Sequence, residues 1–312
     1  MRVFVTGATG YIGGSVATRL LAAGHEVRGL VRDGAKAALL EAHGIVPVSG
    51  SLDDTELLRR EAAAADAVVN AASSDHRGAV MALLDGLAGT GRPFVHTSGT
   101  SVVADDAAGE ASEHVFTEDT PFTPPPLRAA RVALDREIRT AAERGIRSVV
   151  LCNSLIYGPG LGLPADSVQV PALIELAQAS GVPRHIGRGL NVWSNVHIED
   201  LAELYLLALD RAPAGSFFFV ENGEASFRAM AQAIGRMLGL GERTEPWPIE
   251  AAIAAWGESK ARYTMGSNSR VRADRVRREL GWRPRHASVL TEIETGCYAR
   301  QHRAAPRFSD IR

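Results

Sequence analysis

The chain has 312 residues, a formal net charge of −2, 46% hydrophobic and 22% charged residues. That is the balance of a globular protein with one large domain and an appended lobe, and it argues against nucleic acid or an anionic membrane as a partner. Two distant cysteines, Cys152 and Cys297, suit neither a disulfide framework nor a metal cluster; residues 1–6 lack a signal peptide's apolar core, and no apolar run reaches membrane-spanning length, so the expectation is a cytoplasmic protein, monomer or homodimer.

Short apolar strands alternate with helical stretches through the first half, which predicts an α/β fold with a parallel sheet. Arg2–Thr6 reads as a buried strand and Tyr11–Ala23 as a helix stopped by Gly24. Strands follow at Glu26–Val31, Ile45–Val48, Ala67–Asn70, Phe94–Thr97 and Ser148–Cys152. Helices are expected at Ala35–His43, Thr55–Ala64, His76–Ala88 and Leu127–Arg144. Ala104–Pro126 is a long acidic, proline-ended loop of the kind that is functional or mobile. Gly158–Pro164 is a flexible crossing into the second half. There Glu199–Leu209 and Phe227–Leu238 read as helices and Phe217–Val220 as a strand.

The strongest chemical signal is Thr6-Gly7-Ala8-Thr9-Gly10-Tyr11-Ile12-Gly13, which closes the first strand and opens the first helix. Gly7 permits a tight turn, Gly10 admits a pyrophosphate and Gly13 lets helix and strand approach. The helix start then offers free N–H groups and a positive dipole end to phosphates. These residues point to a bound dinucleotide. The second strand ends Val31-Arg32, with valine where an acid would bond ribose hydroxyls in an NAD site. Arg32 can pair with a 2′-phosphate instead, so NADPH is the expected cofactor.

Several ordered segments then resemble the extended short-chain dehydrogenase/reductases, the superfamily of nucleotide-sugar epimerases and dehydratases. They are the glycine turn, Asn70-Ala71-Ala72, Thr97-Ser98-Gly99-Thr100, Tyr157-Gly158-Pro159-Gly160, Val196-His197-Ile198-Glu199-Asp200 and Leu280-Gly281-Trp282-Arg283-Pro284. The resemblance implies a Rossmann domain over residues 1–157, with a returning segment near 193–215, and a smaller, mainly substrate-binding lobe over 158–312. It adds Ser51, Leu52, Asp53, Asn70, Ala71, Ala72 and Thr97 to the cofactor contacts. Ser51 stands where the family has an adenine-contacting aspartate, with Asp53 close by. The family's Tyr-x-x-x-Lys pair matches Leu127 and Arg131, and residues 127–144 contain neither tyrosine nor lysine. The chain therefore resembles an atypical member without the usual acid–base tyrosine.

Arg131 can keep the lysine's hold on the ribose but is a poor acid; as an ordinary surface residue it would pair with Asp135. Ser98 and Thr100 follow a strand end at the edge where ligands bind in such sheets, and Tyr157 ends its own strand there. These hydroxyls and Arg131 are the candidate catalytic groups. His197 reads as a cap of the helix at Glu199, and His76 as an exposed helix start. No His, Cys, Asp or Glu cluster has metal-ligand spacing. The expectation is an NADPH-dependent reductase of a carbonyl-containing small molecule. The alternatives are a nucleotide-sugar epimerase or dehydratase, for which Arg184, Arg188 and Arg270 could hold a diphosphate, and a non-catalytic NADP(H)-binding sensor.

Overall fold

A computed structural model describes residues 1–304. Strand β1 (Arg2–Thr6) shows the pattern on which the sheet is built: Val3 and Val5 enter one apolar core and Phe4 enters another. Successive side chains of a strand point to opposite faces, so a strand apolar throughout must be covered on both. Helices α1 (Tyr11–Ala22) and α2 (Gly34–Ala42) alternate with β2 (Glu26–Val31) and β3 (Val46–Ser49). Then come α3 (Thr55–Ala64), β4 (Ala67–Asn70), α4 (Arg77–Leu87), β5 (Pro93–Gly99), α5 (Ala129–Thr140) and β6 (Arg147–Asn153). Leu58, Leu83, Leu134 and Ile138 of α3, α4 and α5 pack with Phe4, Val68, Phe94 and Val150 on one face of the sheet.

The second half is divided between the sheet and a lobe. β7 (Leu155–Tyr157) leads to α6 (Gln169–Ser180), β8 (Arg184–Ile186), β9 (Val192–His197), α7 (Ile198–Arg211), β10 (Ser216–Val220), β11 (Glu224–Ser226) and α8 (Phe227–Leu238). Leu201, Leu204 and Tyr205 of α7 join Val16 and Leu20 of α1 in the core on the sheet's other face. β10 pairs in parallel with β6. The seven-stranded order is β10-β6-β5-β4-β1-β2-β3, a doubly wound parallel sheet as the sequence predicts. The winding reverses between β1 and β4, and that crevice, at the carboxyl ends of the strands, is where such sheets bind ligands.

The lobe has its own core, with Leu173, Trp193, Phe227, Met230 and Ile234 among its members. Residues 104–125 contain no long regular element, but they are anchored. Phe116 N–H donates to Arg270 O at 2.8 Å, and Glu118 accepts from Phe219 N–H at 3.0 Å. The expected helix over 127–144 is continuous but composite: a 3₁₀ turn at Pro126–Arg128, α5, and a second 3₁₀ turn at Ala141–Arg144. No helix among the described residues is long and apolar enough to cross a membrane.

Candidate active site

The glycine turn explains its own composition. Gly7 has φ +76°, and a Cβ there would lie 2.7 Å from the Ala71 carbonyl carbon and oxygen. Gly13 packs so closely on Gly7 that a side chain would strike its carbonyl. Gly10 differs: a Cβ there would meet only Gly7 O, at 3.3 Å, so its outer side is open. Gly10 caps α1 with no side-chain hydrogen bond, which leaves the first-turn N–H groups of α1 for an anion.

Beside this turn lies a cleft of about 360 Å³ whose wall includes Thr9, Gly10, Arg32, Ser51, Asp53 and Ala72. Gly7, Leu52 and Ala71 line it too. Arg32 is exposed and has no carboxylate partner among the described residues. The neighbouring Asp33 is committed, since it caps α2 by accepting from Ala35 N–H at 2.8 Å. Asp53 N–H donates to Ser51 Oγ at 3.2 Å, while the Asp53 carboxylate is 88% exposed.

A second cleft of about 300 Å³ opens from Tyr11 and Ile12, on the other side of the turn. Its walls include Ser98, Thr100, Arg128, Arg131, Asn153 and Ser154. Thr100 Oγ1, Asn153 Oδ1 and Ser154 Oγ are buried without hydrogen-bond partners. Three orphaned polar atoms in one wall suit a polar ligand, because an unmet buried group costs about 1–3 kcal/mol. Gly7, Thr9 and Gly10 of the turn line the first cleft, and Tyr11 and Ile12 line the second.

Arg131 is no solvated surface residue. Its guanidinium donates to both oxygens of Asp75, at 2.8 and 2.6 Å, and its side chain is only 14% exposed. That pair holds the Asp75 carboxyl below its usual range. The expected alternative partner, Asp135, instead accepts from Ser98 Oγ at 2.7 Å. Because α5 is entered through a 3₁₀ turn, Arg128 faces the cleft while Leu127 is 53% exposed. Arg128 donates to the Ser101 and Ser259 hydroxyls, at 3.0 and 2.8 Å, and has no carboxylate partner among the described residues.

Four expected site residues are otherwise employed. Tyr157 is fully buried in the lobe core and donates to Ala287 O at 2.7 Å, and burial raises its hydroxyl well above the usual range. It cannot reach the cleft as a proton donor. Thr6 Oγ1 donates to Asn70 Oδ1 at 2.5 Å, and Asn70 Nδ2 lies 3.0 Å from His96 Nδ1, so both side chains brace the sheet rather than face a cofactor. Thr97 Oγ1 sits 2.6 Å from Tyr205 OH, on α7. Sequence reasoning missed Asp75, Arg128, Asp135, Asn153 and Ser154. For Arg128 the signal was present, a second arginine three residues before Arg131.

His197 caps α7, accepting from Glu199 N–H at 3.2 Å. His197, Glu199 and His286 bring ligand atoms within 4.8 Å of one another, a cluster the sequence does not announce. The two rings stack 4.0 Å apart at 5°. An ion in the plane of one ring would lie out of the plane of the other, so their lone pairs do not converge on one metal. A cavity of about 580 Å³ lies elsewhere, between α1, α7 and residues 281–286. It lacks the glycine turn, and we assign it no chemistry.

Asp135 titrates abnormally: burial pushes its carboxyl up to about 7, against the Ser98 hydrogen bond and the Arg131 charge. An acid whose folded value is raised contributes stability fully present below about pH 4 and lost as pH rises through about 7. Asp135→Asn should therefore gain stability over the wild type as pH rises across that window, by on the order of a few kcal/mol. Burial of neutral His96 and His197 pulls the other way, but equally in both proteins. Thermal melts of the pair at several pH values check this; a difference independent of pH would contradict it.

The family model for the NAD dependent epimerase/dehydratase family matches residues 3–218. The chain belongs to that family. It is accordingly an enzyme of the extended short-chain dehydrogenase/reductase type. Within reach of the family, it is 34% identical to "Oxidase ucsJ" of Acremonium sp, over 94% of this chain and 95% of the other. It is 28% identical to a 4-hydroxy-2-methyl-3-oxo-4-farnesyl-3,4-dihydroquinoline-1-oxide ketoreductase of Stigmatella aurantiaca, over 90% and 92%. The structure of a UDP-glucose 4-epimerase of Thermotoga maritima has the same fold, with a TM-score of 0.76 at 17% identity over 98% and 100% of the chains.

Proposed function

We propose that the protein is an NADPH-dependent reductase of a small carbonyl compound. The observation that carries this reading is the second cleft: among the described residues, the Thr100, Asn153 and Ser154 oxygens lack partners beside Arg128, whose partners are neutral, next to the glycine turn. Bound NADPH supplies a hydride. The chain's own residues bind and orient. The α1 N–H groups and Gly10 receive the pyrophosphate, and Arg32 receives the 2′-phosphate. Arg131, fixed by Asp75, holds the ribose face. Arg128 and the Thr100 hydroxyl stabilise negative charge that develops on the substrate oxygen.

Names among the relatives support reduction: one is a ketoreductase and another a 3-diazoavenalumate denitrifying reductase of Streptomyces sp. The nucleotide-sugar alternative has less support, because Arg184, Arg188 and Arg270 each face a glutamate, Glu245, Glu110 and Glu224. The test is NADPH consumption against a panel of aldehydes and ketones, with cofactor affinity measured in parallel. Tight binding without consumption by any carbonyl would favour the sensor role.

Cofactor choice has its own test. A charge-assisted contact from Arg32 contributes about 1.5–3 kcal/mol, tenfold or more in affinity. NADPH should bind correspondingly tighter than NADH, and Arg32→Ala should erase the preference while leaving NADH binding nearly unchanged. Equal affinities in the unaltered protein would refute the assignment.

A further inference from the structure

Behind the cleft runs a line of buried polar groups. Ser98, in the cleft wall, donates from Oγ to Asp135 Oδ2 at 2.7 Å. Asp135 Oδ1 is buried with no hydrogen-bond partner among the described residues, and so is His96 Nε2, 3.8 Å away. His96 Nδ1 is engaged by Asn70. A buried carboxyl with one oxygen on a cleft hydroxyl and the other unpartnered is costly to keep.

The far side of Asp135 opens on a different space. A cavity of about 140 Å³ lies against the outer side of α5, lined by Glu118, Asp135, Arg136, Arg139, Phe217 and Phe219 among others. It is large enough for several waters, at roughly 30 Å³ each, and its charged rim suits them. Asp135 thus stands between the substrate cleft, which it meets through Ser98, and a second cavity whose walls mix the charged groups with Val102, Phe122 and Val132.

We propose that Asp135 passes a proton through Ser98 to the oxygen of the reduced substrate and recovers one from water in the cavity behind α5. The inference rests on the reductase reading. The step balances as follows. Bound NADPH would supply a hydride, with its electron pair, to the carbonyl carbon, and the C=O π pair would move to oxygen. With Oδ2 protonated, the Ser98–Asp135 hydrogen bond reverses: Asp135 Oδ2–H donates to Ser98 Oγ and the Ser98 hydroxyl turns into the cleft, so Ser98 gives its proton to the substrate oxygen as Asp135 gives its own to Ser98 Oγ. The Asp135 carboxylate then takes a proton from water.

Ser98 alone is too weak an acid for this; with a protonated carboxyl behind it, no alkoxide need form on serine. Asp135 acts through Ser98 and is a positioning residue, not one that touches substrate. It takes the place of the acid that Leu127 cannot supply. The groups that face it are His96 and Ser98 on β5, Cys152 on β6, Arg131 and Arg139 on its own helix, Glu118 from residues 104–125 and Asp75 from the loop after β4. Burial outweighs the two arginines and keeps the carboxyl protonated up to about pH 7.

The experiment is the pH dependence of carbonyl reduction between about pH 5 and pH 9, in H₂O and D₂O, for the wild type, Asp135→Asn, Ser98→Ala and Ser98→Thr, with NADPH affinity measured for each. The wild-type rate should fall as pH rises above about 7, with a solvent isotope effect. Asp135→Asn and Ser98→Ala should bind NADPH normally, lose about 10²-fold in rate and show no pH slope. Ser98→Thr keeps the hydroxyl and should restore the slope, which a purely structural role would not require; Ser98→Ala removes one oxygen and stands in should Asp135→Asn not fold. A wild-type slope retained in Ser98→Ala or Asp135→Asn, or a flat profile in an active wild type, overturns the relay alone. A wild type that binds NADPH and reduces no carbonyl overturns the reductase reading and the relay with it.

Discussion

Gly7→Ala is expected to abolish measurable dinucleotide binding and to lower the melting temperature, whereas Gly10→Ala is expected to weaken binding strongly and leave stability almost unchanged. At Gly7 two costs add. A left-handed backbone costs an L-residue about 1–2 kcal/mol, and the new Cβ would sit 2.7 Å from backbone atoms of Ala71 that cannot rotate away. The turn must move, and it carries the start of α1 with it. At Gly10 a Cβ meets nothing closer than Gly7 O at 3.3 Å and projects into the space the pyrophosphate would use. Losing close approach to a helix N-terminus should raise the dissociation constant about 100-fold, or roughly 2.7 kcal/mol. Cofactor fluorescence titration and thermal melts separate the two variants. Normal NADPH affinity in Gly10→Ala would place the dinucleotide elsewhere.

Arg131→Ala is expected to reduce turnover about 100-fold, with a smaller loss of NADPH affinity. The residue brings a largely buried cation to the cleft and is fixed in place by donating two hydrogen bonds to the Asp75 carboxylate. A misplaced nicotinamide loses much of the advantage of orientation, where 1 Å can cost about 10²-fold. Arg131→Lys should recover part of the rate, because an ammonium can hold ribose hydroxyls but cannot grip Asp75 with a planar fork. Asp75→Asn should fall between the two. Steady-state kinetics on the substrate found by the carbonyl panel check the series. Unchanged turnover in Arg131→Ala would transfer the orienting role to Arg128.

The parts of this protein legible in its sequence are those governed by local rules. The glycine turn announces itself because Gly7, Gly10 and Gly13 answer to backbone sterics within one short segment, and the strands show as unbroken apolar runs because both faces of the sheet are covered. The pairings around Asp135 are not legible locally because they run across the chain. Asp135 lies one turn beyond Arg131, which suggests an ion pair on one helix face. The sheet instead places Ser98 under Asp135, while the loop after β4 delivers Asp75 to Arg131. Tyr157 misled for a related reason: it ends a strand, but that strand, β7, belongs to the lobe's small sheet with β9 and β11. The register of Arg128 depended on a 3₁₀ turn before α5, which residue spacing alone does not reveal.

The edge strand β10 has a consequence for how the protein is made. During synthesis the glycine turn and six strands of the sheet emerge within the first half of the chain, and domains generally begin to fold in that order. β6, however, must wait for residues 216–220 before its outer edge is paired. The interval exposes an apolar strand edge that could pair with another chain. Arg147 stands at the start of that edge and donates to the carbonyls of Ala208, Leu209 and Ala212 at the end of α7. The carbonyls of that clasp precede β10 by only a few residues, and a chain cut short of residue 216 would keep the glycine turn while leaving the outer edge of β6 open to pairing with another chain.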